Sequence, residues 1–399
     1  MAQLGGGHIK MLPPIARLFD ITRLINSAGL RPTGIDRVEV AYLRALIADP
    51  TPIFAIGRTA LGYVLIDRAG ATRILQANDT GVWGKPDLLS RLNLRLSAPR
   101  RKGQSFLRRN AIARCPHQWL SLMLMVHLPA TFTYLNVGHS NLKKQMFEGV
   151  GMARKVVLIH DTIPIDYPDT QAVGAVDAFI AKLALVSAHA DTVICTSMQC
   201  SADVARHLNI LGRTPDIVTA HLGVDVSIPD PKMKCPNMLY FVTVGTIEPR
   251  KNHAMLLDIW ADWPDAPHLV ICGKRGWNNR DVFTRLDAQP SQITEYNELS
   301  DTQIAALVKG AAGMLFPSHA EGFGLPPVEA LALGTRVICA CLPVYEEILG
   351  DSAVYVAASD RYLWEKAIKR MAALDRPDET SQFTPPSWQA HFEIVLKKV

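Results

Sequence analysis

The stretch MLFPSHAEGFGLPPVEAL (314–331) contains a complete strand–loop–helix unit. An apolar run ends at Pro317, Gly322 and Gly324 follow in a short loop, and two prolines precede a helical pattern. Proline favours the first turn of a helix because its missing N–H would have no partner there. The stretch therefore predicts a buried strand that turns sharply into a helix, the repeating unit of a parallel α/β sheet.

The same alternation of strand and helix runs along the chain. In the first half, strands are predicted at 16–22, 51–57, 131–138, 154–161, 191–197 and 215–223, with helices at 35–47 and 176–190. In the second half, strands are predicted at 237–245, 267–273, 313–318 and 335–340, with helices at 253–263, 300–312 and 326–334. This order favours doubly wound α/β sheets, which bind ligands outside the carboxyl ends of their strands.

One interruption divides the pattern into two halves. Three prolines and several polar residues fall in VSIPDPKMKCPN (226–237), which is typical of an interdomain linker. At 399 residues and 48% hydrophobic, the chain can form two cores. We therefore predict Rossmann-like domains at 1–225 and 237–380, a linker at 226–236, and a closing segment at 381–399.

Cysteine usage and hydropathy indicate a cytoplasmic protein. The seven cysteines form no CxxC pair, which favours reduced thiols over a disulfide framework or a zinc site. The N-terminus MAQLGGGHIK lacks the apolar core of a secretory signal. The most apolar segment, WLSLMLMVHLPA (119–130), is shorter than the roughly 20 residues of a spanning helix.

Positive charge is concentrated in the first half of the chain. The whole chain carries +5, but residues 91–110 alone hold seven basic residues and no acidic one. This segment is either a solvated loop or a patch that faces anionic lipid head groups or a diphosphate-bearing acceptor. Nucleic acid is disfavoured as a partner because the basic residues are not interleaved with base-stacking aromatic side chains.

Two carboxylates flank the glycine turn of the opening stretch. Glu321 lies in the loop and Glu329 lies near the start of the helix. The free N–H groups and positive dipole end of a helix start attract phosphate, and Gly322 and Gly324 let a ligand approach the backbone. We interpret the stretch as a diphosphate site with one glutamate on either side. The alternative is a plain turn with two solvated glutamates.

A second candidate element is YFVTVGTIEPRKNH (240–253), in which a predicted strand ends at Gly245. Arg250 and Lys251 follow in a short loop. A pair of cations there would stabilise the charge that builds on a departing diphosphate. Taken alone, the pair is equally typical of surface salt bridges.

Three further strand ends carry polar or glycine residues that could reach a ligand. His160 and Asp161 end the strand in VVLIHDTIPIDYP, Gly34 opens a helix in RPTGIDRVEVAYL, and Gly138 and His139 follow the strand in YLNVGHSNL. Each has a structural alternative, because histidine–aspartate pairs and glycine turns are common at strand ends. Their shared position at carboxyl ends is what makes them candidates.

Together these motifs resemble the retaining family-4 glycosyltransferases with the GT-B fold. The resemblance covers residues 15–390 and rests on EGFGLPPVE, VGTIEPRKN, IHDTIPIDYP and CTSMQCSADV…TAHLGVD, in that family's order. It implies two facing Rossmann-like domains with a cleft between them. The N-terminal domain would bind the acceptor, the C-terminal domain would bind a nucleotide sugar, and residues 381–399 could cross back to the N-terminal domain.

The resemblance also implies roles for individual residues. Glu321 would contact the transferred sugar, His160 would lie near that sugar, Lys251 would neutralise the diphosphate, and Glu329 would bind the ribose. Further donor contacts are implied for Gly34, Gly245, Thr246, Arg250, Gly322, Phe323, Gly324 and Leu325, and acceptor contacts for Gly138, His139 and Asp161. Thr246 replaces an arginine of many relatives, so we expect Arg250 to compensate or the site to carry less charge.

The function implied is hexosyl transfer from a nucleotide sugar to a polyprenyl-diphosphate-linked saccharide in exopolysaccharide or O-antigen synthesis. GDP-mannose is the favoured donor, UDP- and dTDP-sugars are alternatives, and neither a metal nor another cofactor is expected. The protein would work in the cytoplasm, at the inner face of the membrane. A sugar-nucleotide epimerase of the same fold and a non-catalytic nucleotide-sugar-binding protein are the alternative functions. The sequence leaves the oligomeric state open.

Overall fold

The computed structural model describes residues 15–93, 95–374 and 383–399. Its contacts divide the chain into two compact units. The first contains Met1–Leu158, Leu185–Val193 and Phe392–Val399, and the second contains Ile159–Ala184 and Ile194–His391. Residues 159–184 and 194–225 thus cluster with the second unit, although the sequence places them in the N-terminal domain. The domain boundaries given above stay a prediction.

The first sheet has eight strands among the described residues, in the order β4-β3-β2-β1-β5-β6-β7-β8. They are β1 (Arg17–Asp20), β2 (Ile53–Thr59), β3 (Gly62–Ile66), β4 (Ala113–Cys115), β5 (Thr133–Asn136), β6 (Arg154–Ile159), β7 (Thr192–Cys195) and β8 (Asp216–Thr219). The pairs β1–β2, β1–β5 and β5–β6 are parallel, whereas β2–β3 and β3–β4 are antiparallel.

The helices that accompany this sheet are α1 (Thr22–Asn26), α2 (Gly34–Ala48), α3 (Arg68–Thr80), α4 (Leu88–Leu92), α5 (Ala98–Arg109), α6 (Leu120–His127), α7 (Lys144–Gly149), α8 (Ile163–Asp166), α9 (Ala175–His189) and α10 (Met198–Ile210). The longest predicted ones match α2 and α9 within a residue at each end. Helix α2 begins where Thr33 and Asp36 form a capping box, and it buries Val38, Tyr42 and Leu46 along one face.

The second sheet is parallel throughout its described pairs, with the order β11-β10-β9-β12-β13-β14. Its strands are β9 (Tyr240–Val244), β10 (His268–Cys272), β11 (Ile293–Tyr296), β12 (Gly313–Phe316), β13 (Val337–Ala340) and β14 (Val354–Val356). The helices are α11 (His253–Ala261), α12 (Arg280–Asp287), α13 (Asp301–Gly310), α14 (Leu325–Ala332), α15 (Pro343–Leu349) and α16 (Arg361–Ala372). The last helix, α17 (Trp388–Val395), belongs to the first unit from Phe392 onward.

The strand order of the second sheet explains where its ligand site can lie. Strands β9 and β12 are central neighbours, and the chain proceeds outward from them on opposite sides. This reversal is the topological switch point at which doubly wound sheets bind ligands. The loops that follow β9 and β12 are those that carry Lys251 and Glu321.

Most of the described part of the basic segment 91–110 is helical rather than a loop. Helix α5 carries most of its charge, and α4 precedes it. Arg108 is buried and pairs with Asp87 at 2.6 Å, so one of the seven cations stabilises the fold. No helix in the described part of the chain is long and apolar enough to cross a membrane.

Candidate active site at the ends of β9 and β12

Gly245 begins the loop after β9 in a conformation that favours glycine. Its φ is +147°, and a Cβ at this position would lie 3.2 Å from Cε of Lys251. The next residue, Thr246, is exposed. The chain then forms a short 3₁₀ turn, Pro249–Lys251, which places Arg250 and Lys251 side by side.

The two cations converge on one carboxylate. Oε1 of Glu321 lies 2.5 Å from Nζ of Lys251 and 2.7 Å from Nη1 of Arg250. Arg250 also pairs with Glu248 at 2.7 Å and donates to the carbonyl of Ala320 at 2.6 Å. These side chains are largely buried, so the sequence-predicted cations form an internal network rather than surface salt bridges.

This network fixes the charge of Glu321. Burial by itself would raise the pKa of Glu321, but Arg250 and Lys251 outweigh it and hold that pKa below its ordinary value. Nζ of Lys251 also lies 4.4 Å from the centre of the Phe316 ring, within range of a cation–π contact. The site therefore presents an ionised glutamate with two cations in a poorly solvated place.

A buried histidine follows Lys251 by two residues in the chain. His253 begins α11 and is 2% exposed, and neither ring nitrogen has a hydrogen-bond partner among the described residues. Burial, followed by the nearby charge of Lys251, lowers the pKa of His253 to about 3. The ring is neutral at ordinary pH and therefore adds no positive charge to the network.

Helix α14 starts as the sequence predicts, but one or two residues earlier. Gly324 is its N-cap with φ +84°, and Leu325 is the first helical residue. The two prolines that follow have no N–H, so backbone donors at this helix start come from residues such as Gly324 and Leu325. Glu329 is the fifth helical residue and so lies near the start of the helix, as predicted.

The loops after β6 and β12 touch each other. A Cβ on Gly322 would lie 2.4 Å from the carbonyl oxygen of His160 and 2.9 Å from Cβ of Asp161. The hydroxyl of Thr196 donates to both carbonyls, at 3.2 Å to His160 and 3.1 Å to Gly322. The structure thus brings the His160–Asp161 pair and the glycine loop into contact, and their roles toward a ligand stay predictions.

Asp161 belongs to the same electrostatic group. Burial raises the pKa of Asp161, and the nearby Arg250 opposes that rise. With Glu248 and Glu321, three carboxylates therefore surround the Arg250 guanidinium. Two of these carboxylates, those of Glu248 and Glu321, already pair directly with Arg250. The expectation that Arg250 compensates for the missing arginine at Thr246 stays a prediction.

Three predicted site residues belong to the first compact unit. Gly34 is the first residue of α2, and the neighbouring Asp36 accepts hydrogen bonds from both the amide and the hydroxyl of Thr33. His139 has φ +56° and binds the carbonyl of Leu158 through Nε2 at 2.8 Å. Gly138 packs against Glu39, whose oxygen lies 3.0 Å from the Cβ position. Their roles toward a ligand stay predictions.

Sequence reasoning did not single out several residues that hold the site together. Glu248 lies two residues before Arg250 in the quoted TIEPRKN, and this spacing is the one signal that could have identified it. Tyr345 fills the space beside Gly324, where a Cβ would approach its ring to 2.4 Å. Tyr345 had no sequence signal, since its contact depends on tertiary packing, and Thr196 was marked only by its place in CTSMQCSADV.

A search of the described residues finds no group of three or more His, Cys, Asp or Glu side chains arranged to hold a metal ion. The nearby carboxylates are instead paired with arginine and lysine. Metal independence stays a prediction.

Known proteins resemble this chain in sequence at both the domain and the chain level. Residues 232–380 match the family model described as glycosyl transferases group 1. The serotype-specific mannosyltransferase WbdA of Escherichia coli is 28% identical over 269 residues, which is 61% of this chain and 33% of that protein. The O-antigen chain mannosyltransferase RfbU of Salmonella typhimurium is 28% identical over 58% of this chain and 64% of that protein. The chain thus spans about a third of WbdA's length.

Solved structures share the fold over nearly the whole chain. Sucrose-phosphate synthase from Thermosynechococcus elongatus superposes with a TM-score of 0.59 at 14% identity, covering 96% of this chain and 93% of that one. The Escherichia coli trehalose-6-phosphate structure bound with UDP-2-fluoro glucose gives 0.56 at 12% identity, with 96% and 95% covered. These matches confirm the predicted α/β fold class. The chain therefore has the GT-B fold, and its residues 232–380 form a glycosyl transferases group 1 domain.

Proposed function

We propose that the protein is a retaining family-4 hexosyltransferase that transfers mannose from GDP-mannose to a lipid-linked saccharide. The observation that carries the proposal is the buried network of Glu321, Lys251 and Arg250 beside the glycine start of α14. Cations and helix-start amides are the groups that stabilise a diphosphate. An ionised glutamate among them can accept hydrogen bonds from sugar hydroxyls.

The relatives supply the choice of sugar and pathway. Two of them are named mannosyltransferases, one of these an O-antigen chain enzyme. A third, from Mycobacterium tuberculosis, is named a GDP-mannose-dependent mannosyltransferase and is 28% identical over 42% of this chain. These names support a mannosyl donor, a guanine nucleotide and an acceptor of polysaccharide synthesis.

In the proposed reaction the acceptor hydroxyl attacks the anomeric carbon from the side of the leaving group. The bond from that carbon to the diphosphate oxygen breaks, the bond to the acceptor oxygen forms, and the departing diphosphate takes the hydroxyl proton. Lys251 and the amides at Gly324 and Leu325 would stabilise the charge that develops on the diphosphate. Glu321 would hold the transferred sugar and keep Lys251 in place.

A screen of nucleotide sugars tests this proposal. GDP-mannose should give nucleotide release that rises on addition of a prenyl-linked saccharide, whereas UDP- and dTDP-sugars should give little. GDP at one hundred times its dissociation constant should stabilise the fold by about 2.7 kcal/mol, which thermal unfolding detects. Stabilisation by UDP but not GDP would overturn the choice of base. An absence of turnover with every donor and acceptor pair would overturn the transferase.

We further propose that the first unit binds an anionic membrane surface. Trp119, Leu122, Met125 and Val126 are each more than half exposed, and their spacing places three of them on one face of α6. The basic segment supplies five exposed cations to the same unit, at positions 91, 95, 100, 102 and 109. Exposed apolar side chains combined with basic ones are typical of interfacial binding.

Co-sedimentation with vesicles checks the membrane proposal. The protein should bind vesicles containing 30% phosphatidylglycerol at low salt and dissociate at high salt, because surface charge is screened. Leu122→Asp should weaken binding about tenfold or more, since burying a leucine contributes about 1.5–3 kcal/mol. Tyr362→Asp, on an exposed position of the second unit, is the matched control. Failure to bind anionic vesicles at low salt would contradict the proposal.

A further inference from the structure

A pocket adjoins Glu321 on the side of the loop after β6. Its cavity volume is about 90 Å³, and the cavity opens to solvent at its mouth. Asp161, Asp166, Tyr167, Gln199, Asp203 and Glu321 supply its polar and aromatic lining. All of these residues belong to the second compact unit.

The pocket wall carries hydrogen-bond acceptors but no cation. Four carboxylates line it, and no lysine, arginine or histidine is among its lining residues. Arg206 and His207 hold Asp166 at 2.9 and 2.8 Å without lining the pocket, and Gln199 donates to Asp203 at 2.9 Å. Asp166 is thus held by side chains outside the pocket, and Asp203 is held by Gln199 in the pocket wall and by Arg206 at 3.0 Å. Each can accept further hydrogen bonds, because a carboxylate offers about four lone-pair directions.

An aromatic ring completes the lining. Tyr167 follows α8 directly and is 40% exposed. An exposed ring beside fixed carboxylates suits a pyranose, which offers hydroxyl groups at its edge and C–H groups on its face. A negatively charged ligand would instead face four carboxylates in a poorly solvated place.

We propose that this pocket binds a neutral hexose of the acceptor saccharide. The inference rests on the proposed function, which makes Glu321 the point where transferred sugar and acceptor meet. Asp166 and Asp203 accept hydrogen bonds from the hexose hydroxyls, and the Tyr167 ring packs against its face. The carboxylates of the pocket repel a uronate or a phosphorylated sugar, because both carry negative charge. The lipid diphosphate of the acceptor therefore binds outside this pocket.

Direct sugar binding tests the proposal without turnover. Methyl α-mannoside and methyl α-glucuronide are titrated into the full-length protein and followed by saturation-transfer NMR. The neutral sugar should bind at least tenfold more tightly. Tyr167→Ala and Asp203→Asn should each weaken mannoside binding about tenfold, the usual effect of losing a hydrogen bond to a charged group or a stacked ring. Tyr167→Phe keeps the ring and should retain most of the binding, which separates ring packing from misfolding.

Two results would overturn the pocket assignment: glucuronide binding as tight as mannoside binding, or mannoside binding unchanged in both Tyr167→Ala and Asp203→Asn. The donor screen reports separately on the proposed function. If no donor is turned over but the mannoside still binds with this variant pattern, the transferase proposal fails while the sugar site stands. If turnover occurs and the pocket variants leave the acceptor KM unchanged, the acceptor site lies elsewhere.

Discussion

Glu321→Gln is expected to lower kcat by about 10²–10³-fold, with the KM for the donor changed by less than about threefold. Glutamine keeps the shape of the side chain but removes the charge that pairs with Lys251 at 2.5 Å and Arg250 at 2.7 Å. The two cations would then repel each other in a buried site, and Lys251 would lose the group that positions it. Loss of one well-placed electrostatic group in an active site has effects of this size.

The same change should reduce the free energy of unfolding by about 3 kcal/mol, the usual order for a buried ion pair that loses one partner. Activity is therefore measured at a temperature where the variant is fully folded. Glu347→Gln is the matched control, because Glu347 pairs with His221 at 2.6 Å and accepts from the amide of Met198 in the same unit. It should change kcat by less than about threefold.

Glu329→Gln provides the contrast that separates binding from catalysis. It should raise the donor KM about tenfold and leave kcat nearly unchanged, because a ribose contact is made equally in the ground state and the transition state. If both glutamate variants altered the donor KM alone, the assignment of Glu321 to the transferred sugar would be wrong. An undiminished kcat in Glu321→Gln would also contradict the assignment of Glu321 to the transferred sugar.

The central strands of both sheets were predictable because they are apolar on both faces. Strands β9, β10, β12 and β13 were all found from continuous apolar runs, as expected for the buried interior of a parallel sheet. The edge strands of the second sheet were not. β11 has the sequence ITEY, is only partly buried along its length, and lies outside every predicted strand. An edge strand buries too little surface to leave an apolar pattern.

The β2–β3 hairpin was missed for a different reason. Its turn is made by Thr59, Ala60, Leu61 and Gly62, with Gly62 at φ +131°. This turn lacks the Asn-Gly or Asp-Gly pair that marks a tight hairpin in sequence. The antiparallel edge β3–β4 therefore appears only in the structure.

In the candidate site, the features that depend on local sequence could be predicted, whereas the contacts that depend on tertiary packing could not. Strand ends and glycine turns are local features, so Gly245, His160 and Gly322 could be placed from the sequence. The long-range partner of Arg250 could not be, since the carbonyl of Ala320 reaches it only through packing of the β9 and β12 loops. Nor does the sequence show that Asp161 lies near enough to Arg250 for the guanidinium to affect the pKa of Asp161.

Gly322→Ala is expected to lower kcat/KM for transfer by about 10²-fold and the free energy of unfolding by about 2 kcal/mol or more. The added methyl group would lie 2.4 Å from the carbonyl oxygen of His160 and 2.9 Å from Cβ of Asp161. Neither atom is the free end of a flexible side chain, so the two loops must move apart. Overpacking of this kind costs about 1–3 kcal/mol. A displacement near 1 Å in a reacting site costs about a hundredfold in rate.

Gly334→Ala is the matched control, because it separates backbone strain from the clash at the site. Gly334 has φ +82° and no atom within 4 Å of its Cβ position, so alanine there meets only the left-handed strain of about 1–2 kcal/mol. This variant should lose stability comparable to Gly322→Ala while keeping kcat/KM within about threefold. Equal activity loss in both would assign the effect to stability. Wild-type activity in Gly322→Ala would show that the contact between the His160 and Glu321 loops does not serve transfer. A loss of activity in Gly322→Ala but not in Gly334→Ala would mean that glycine is needed at position 322 because two loops pack closely there. This requirement is separate from any approach of the donor to the backbone.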